Sequence, residues 1–168
     1  LGIHIQPVIW NRKLSCLQPA NQKERLHLAS FSGPDPEKWT DSRSPLNNGL
    51  IQAKWLVVGE MLSGPYSPTP KQLHELVNSM GIGLACLFHD AIPWRRPELY
   101  GGEHNPSSIA HSDYMKGLAE VDLVIANSHT TANHLNQFWS AQKIQPRGTL
   151  LTVPLAHEFP GQKRISSP

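Results

Sequence analysis

Between residues 53 and 153, short apolar runs alternate with segments of helical period, and this alternation limits the fold more than any other feature of the chain. Trp55-Leu56-Val57-Val58-Gly59, Leu84–Phe88, Val121–Ala126 and Thr149–Val153 read as strands. The middle two are apolar at nearly every position, which is the pattern of strands buried on both faces. Between the first two, Ser67–Pro70 opens a helix with Leu73, Leu76, Val77 and Met80 at i, i+3, i+4 and i+7, and Gly81 and Gly83 end it. Ala91–Glu103 reads as a Pro/Gly-bearing loop. Ser107–Glu120 follows as a helix with Ala110, Tyr114 and Leu118 spaced by four. Ser128–Ala141 is a third helix, with Ala132, Leu135 and Phe138 inward. Two-faced apolar strands separated by amphipathic helices predict an α/β fold, a parallel sheet with helices on both sides.

The pattern is weaker before residue 53. Ile3–Ile9 is a β-rich run broken by Pro7, Trp10–Lys13 reads as a turn, and Leu14–Leu17 as a brief return strand. Ala20–Ala29 is long enough for one short helix. Ser30–Asn48 is rich in Ser, Gly, Pro, Asp and Asn and reads as a long loop. At the other end, the polar segment Pro160–Pro168 has the composition of an interdomain linker.

The 168 residues suit one domain or one lobe of a larger enzyme. A formal net charge of +2, with no Lys/Arg stripe, gives no electrostatic footprint for nucleic acid. The two cysteines, Cys16 and Cys86, make no disulfide framework, and a reducing compartment is expected. No apolar run approaches the ~18 residues of a membrane span. No signal peptide is read at the N-terminus, although the chain does not begin with methionine.

In open parallel sheets, ligands bind beyond the carboxyl ends of the strands. Gly59-Glu60, His89-Asp90 and Asn127-Ser128 occupy those positions here. His89 can exchange hydrogen bonds with a sugar hydroxyl near neutral pH, and Asp90 can cap the following loop or accept from a backbone amide. The plainer reading is that both terminate a strand and brace the turn to Pro93. Ser128 is a good N-cap, with Thr131 placed to assist, and the exposed amides there can hold an anion. A capped helix that binds nothing is the commoner case. Arg95-Arg96 can meet a phosphate or carboxylate, or can be a solvated pair. Glu60 is a cleft residue or a buried hydrogen-bond partner. The nine histidines are scattered without ligand spacing, so no metal site is expected. P-loop, G-x-G-x-x-G and G-x-S-x-G patterns are absent from the sequence.

Three blocks in order resemble glycosyltransferase family 4. The first is Leu87-Phe88-His89-Asp90-Ala91-Ile92-Pro93, followed by Pro97-Glu98-Leu99-Tyr100. The second joins Tyr114-Met115-Lys116-Gly117-Leu118 to Val121–Ser128 and Thr131. The third is Val153-Pro154-Leu155. Together they cover about residues 53 to 168, and Gln6–Trp10 suits an early strand more loosely. The resemblance implies the N-terminal lobe of a GT-B fold, Rossmann-like, spanning residues 1–159. Residues 160–168 then begin a linker to a C-terminal lobe that binds the nucleotide-sugar. The glutamate pair usual in that second lobe, Glu-x7-Glu, has no counterpart in this sequence. The first strand and glycine-rich loop of the family are not recognisable either.

The resemblance further implies retaining transfer of a sugar from a nucleotide-sugar to a glycan or lipid-linked acceptor, in polysaccharide or cell-envelope synthesis. It implies no essential metal and no cofactor beyond the nucleotide-sugar co-substrate. His89 is then the catalytic-side residue. It hydrogen-bonds the donor sugar near its reacting end, through its backbone carbonyl or its ring. Asp90, Glu60, Ser128, Thr131 and Arg95 are the accompanying substrate-side candidates, with Asp90 more structural than chemical. A cytoplasmic protein with peripheral contact to the membrane face is implied. Two other readings stay open: a stand-alone Rossmann-like module that binds a glycan or a partner, and a GT-B-fold sugar-nucleotide epimerase.

Overall fold

A computed structural model gives the architecture of the protein, and it describes residues 5–25, 53–62 and 67–154. Val8–Asn11 (β1) and Cys16–Pro19 (β2) pair antiparallel as a hairpin, with Val8 opposite Pro19 and Asn11 opposite Cys16. Trp10 and Asn11 therefore belong to the first strand, and the turn falls at residues 12–15, later than the sequence indicates. The reason is local chemistry. The Asn11 side chain accepts from Lys13 N (3.0 Å) and Leu14 N (3.1 Å) and so builds the turn after itself. A single helical turn at residues 22–25 is what the description includes of the Ala20–Ala29 helix. The Ser30–Asn48 loop and the 160–168 linker lie outside the described residues.

The main sheet has four parallel strands in the order β3 (Trp55–Val58), β4 (Gly83–Phe88), β5 (Leu123–Ala126) and β6 (Thr149–Thr152). The connections run through α1 (Pro70–Asn78), α2 (Ile92–Arg95), a 3-10 turn at Pro97–Tyr100, α3 (Pro106–Gly117), a 3-10 turn at Leu118–Glu120, and α4 (His129–Ala141). The protein is thus α/β, with a Rossmann-like parallel sheet flanked by helices. Gly83 is the first residue of β4, so Gly81 alone, with φ of 72°, ends the preceding helix. The stretch Ala91–Glu103 is more ordered than a loop. Pro93 and Pro97 lie in the first turns of its two short helices, where a missing N–H costs nothing.

Leu84, Cys86, Phe88 and Val124 form one core with Leu73, Val77, Met115, Leu118, Leu135 and Phe138 of the helical connections. Burial raises the Cys86 thiol to about 12, so it stays a protonated small hydrophobe. On the opposite face the cover supplied by the described residues is thinner. Trp55, Val57 and Leu151 remain 49%, 64% and 47% exposed. Strand order supplies the reason: right-handed crossovers that always step the same way leave their helices on one face.

Asp122, just before β5, ties the layers together. Its Oδ2 accepts from Leu84 N at 2.9 Å, and its Oδ1 accepts from Nε2 of the buried His74 on α1 at 3.3 Å. Desolvation pushes the Asp122 carboxyl up. The Leu84 amide, His74 and the nearby Arg147 outweigh that push and hold it below the ordinary value of 3.8. A depressed carboxyl contributes stability above its ordinary value and loses it as pH falls through the folded value. Asp122→Asn is therefore expected to lower the urea midpoint at neutral pH. The gap from wild type should narrow progressively as pH falls below about 5. A gap that stays constant across that range would show that Asp122 carries no charge-dependent stability.

Candidate functional site

Parallel strands place their carboxyl ends on one rim of the sheet, and the loops leaving β3, β4 and β5 all start there. The rim brings Gly59, His89, Ser128 and Thr131 together. His89 directly follows the buried Phe88 and is itself exposed. Its Nε2 lies 2.7 Å from the Gly59 carbonyl oxygen. A carbonyl only accepts, so Nε2 carries the proton, and in the neutral ring Nδ1 carries the lone pair. The bond also joins the end of β4 to the end of β3.

The backbone of His89 is held from the other side. Ser128 is the N-cap of α4, and its Oγ accepts from Thr131 N at 3.0 Å. The Ser128 hydroxyl donates to Thr131 Oγ1 at 2.9 Å, and the Thr131 hydroxyl donates to the His89 carbonyl at 3.3 Å. Thr131 is buried. The two motifs, 42 residues apart for Thr131 and His89, are thus one hydrogen-bonded unit. Ser128 and Thr131 act through the cap and through the His89 carbonyl, which keeps a second lone pair.

Asp90 turns its carboxylate inward, where Oδ1 accepts from Ile92 N at 2.8 Å. It starts the α2 turn, as its capping role predicts. Arg95 is exposed. Its guanidinium lies 5.8 Å from the Trp94 ring centroid and reaches Gln137 Oε1 at 3.5 Å, away from the His89 ring's contacts. Arg96 is 3.7 Å from Glu98 on the open surface. Glu60 is exposed and close enough to Tyr114 to help raise that phenol, after burial and Cys86. Among the described residues, no group of three His, Cys, Asp or Glu side chains is placed to hold a metal ion.

Behind the rim lies a layer that the strand-end reasoning missed. Tyr114 on α3 donates its hydroxyl to the Leu87 carbonyl at 3.0 Å. His111, one turn earlier and 6% exposed, packs with its ring centroid 6.3 Å from that of Phe88 and lies close to Asp90. Burial lowers its imidazole below the ordinary range, and the Asp90 charge and backbone partly offset this. The signal available in sequence was the i, i+3 spacing of His111 and Tyr114 on one helix face.

No family model, curated protein or solved structure matches this chain. The rim therefore rests on its own chemistry: an exposed imidazole with a fixed tautomer, flanked by a helix N-terminus, at the carboxyl edge of a parallel sheet.

Proposed function

We propose that this chain is the acceptor-side lobe of a retaining glycosyltransferase that takes its sugar from a nucleotide-sugar. One observation carries the reading: His89 stands at the carboxyl end of an inner strand with its ring held through Nε2 to Gly59. That hold leaves Nδ1 to accept from a sugar hydroxyl. The ordered sequence blocks around it support the same reading.

In this mechanism the His89 ring aligns the donor sugar next to its anomeric carbon. The bond to the departing nucleotide breaks, positive charge builds on the ring oxygen and anomeric carbon, and the acceptor oxygen forms the new glycosidic bond while its proton passes to the departing phosphate. A lone pair fixed in place before reaction costs no reorganisation at that moment, and interactions that tighten only then raise the rate. Thr131 and Ser128 hold the His89 backbone. Asp90 shapes the loop that follows. The nucleotide is held mainly by a second lobe, and the acceptor is a glycan or a lipid-linked sugar of cell-envelope or polysaccharide synthesis. Among the described residues no helix is long and apolar enough to cross a membrane. A cytoplasmic site of action, peripheral to the membrane face, accompanies the proposal.

The test is a transfer assay on the full-length protein, with a panel of nucleotide-sugars and with glycan or lipid-linked acceptors. The expected product keeps the anomeric configuration of the donor. Epimerised nucleotide-sugar without acceptor, or no consumption of any donor, would overturn the reading. The isolated lobe is expected to be inert, since one wall of the cleft cannot hold the donor.

A further inference from the structure

The hairpin that the strand-end site does not use forms a second feature. The β1–β2 hairpin and the first turns of α1 bound a groove of about 430 Å³, lined by Trp10, Arg12, Ser15, Ser67, Gln72 and Glu75. That volume falls within the ~300–1,000 Å³ of small-molecule sites. We propose that this groove binds a neutral sugar residue of the acceptor, set back along its chain from the hydroxyl that is glycosylated. The place in the reaction rests on the glycosyltransferase reading, whereas the binding itself does not.

The lining has the chemistry of a pyranose. Trp10 is half-buried, packs against the core and lines the groove. The negative face of an indole suits the polarised C–H bonds of a sugar ring. Around it stand groups that match hydroxyls, which both donate and accept. Gln72 Oε1 accepts from Thr69 N at 2.9 Å, so the amide presents its NH2 donors elsewhere. Glu75 is exposed and accepts only, while Ser15 and Ser67 do both. Arg12 and Glu75 bring opposite charges to the lining, so the groove carries no net charge, which suits a neutral occupant.

Both walls are set before binding. Asn11 holds the hairpin turn through Lys13 N and Leu14 N, and its Nδ2 donates to Gln18 Oε1 at 3.0 Å. Ser15 holds a left-handed backbone with φ of 48°, a conformation that non-glycine residues keep only where their surroundings enforce it. On the other wall, Thr69 and Gln72 complete a capping box at the start of α1. Rigid walls lower the ordering cost of binding.

The groove is also within reach of the rim. Gly59, which accepts from His89, and Ser67, which lines the groove, are the two ends of one connection. Eight residues fully extended span at most roughly 29 Å, which bounds the separation of the two places at the scale of an oligosaccharide.

The test is titration of the full-length protein with maltotetraose, cellotetraose and mannotetraose, read from the Trp10 indole N–H resonance assigned with Trp10→Phe. At least one tetrasaccharide should shift that resonance, and Glu75→Gln should weaken its binding about tenfold, the loss of a charged hydrogen bond. Silence of the Trp10 signal with all three overturns the proposal. So does wild-type affinity in both Glu75→Gln and Trp10→Phe. Tetrasaccharide binding at Trp10 without turnover of any nucleotide-sugar leaves the groove standing and removes the transferase reading. Transfer with the same KM for mono- and tetrasaccharide acceptors does the reverse.

Discussion

His89→Ala is expected to lower turnover by roughly 10²–10³-fold, with donor affinity changed far less. The size follows from removing one preorganised group that stabilises developing charge. The asymmetry follows because such a group contributes more in the transition state than in the ground state. The fold should survive. The His89 side chain is exposed, and its one bond, to the Gly59 carbonyl, is worth about 1 kcal/mol. Its backbone carbonyl, which Thr131 holds, is untouched by the substitution. Turnover at saturating donor, measured beside donor affinity by calorimetry, separates the two effects. An unchanged rate would take His89 away from the reacting centre.

Gly148→Ala is expected to destabilise the whole domain. A Cβ there would stand 2.2 Å from the Val121 carbonyl oxygen and 2.3 Å from that of Asp122. Both atoms are backbone, so no side chain can rotate away. The flanking residues are held as well: Arg147 N donates to Ala119 O at 2.8 Å and Thr149 N to Asp122 O at 3.0 Å. Relief of the clash has to pull β6 from β5 or break one of these bonds. Overpacking of this kind costs about 3 kcal/mol. In a chain of this size that is a fall of roughly 6–12 °C in the thermal midpoint. Gly59→Ala is the control, because a Cβ there meets nothing within 4 Å. Its midpoint should stay close to wild type. Equal midpoints for the two variants would show that the β5–β6 junction yields easily.

The parts of the fold that were legible in sequence are those written in local periodicity. Leu73 and Val77 on α1, and Leu135 and Phe138 on α4, announce their helices by spacing alone, and all four are buried. Ser128 announces the start of α4 by residue type and does cap it. What was hidden depends on partners distant in the chain. The buried His74 meets Asp122 across 48 residues, and no local pattern marks either as half of a pair. The placing of the described helices on one face is likewise a matter of strand order, since apolar strand residues do not say which neighbour covers them. The hairpin shift is different. Asn11 carries a readable turn signal, but residue type alone does not say whether it stands in the turn or closes the strand before it.

The candidate site divides in the same way. Strand ends gave His89, and cap chemistry gave Ser128 and Thr131. The hydrogen bond that makes them one unit is a tertiary fact. Asp90 and Arg95 occupy predicted positions, yet one carboxylate oxygen serves its own loop and the guanidinium reaches a neighbouring helix.

The attachment of His89 has a mechanical meaning. Its ring is fastened to the end of β3 and its carbonyl to the first turn of α4, on opposite sides of its own strand. A residue mounted at three points has fewer ways to swing than a loop residue. Displacing its backbone disturbs the attachments to β3 and α4 together. The imidazole is therefore a stiff reference point on the rim, against which a substrate, and any wall that closes on it, must adjust.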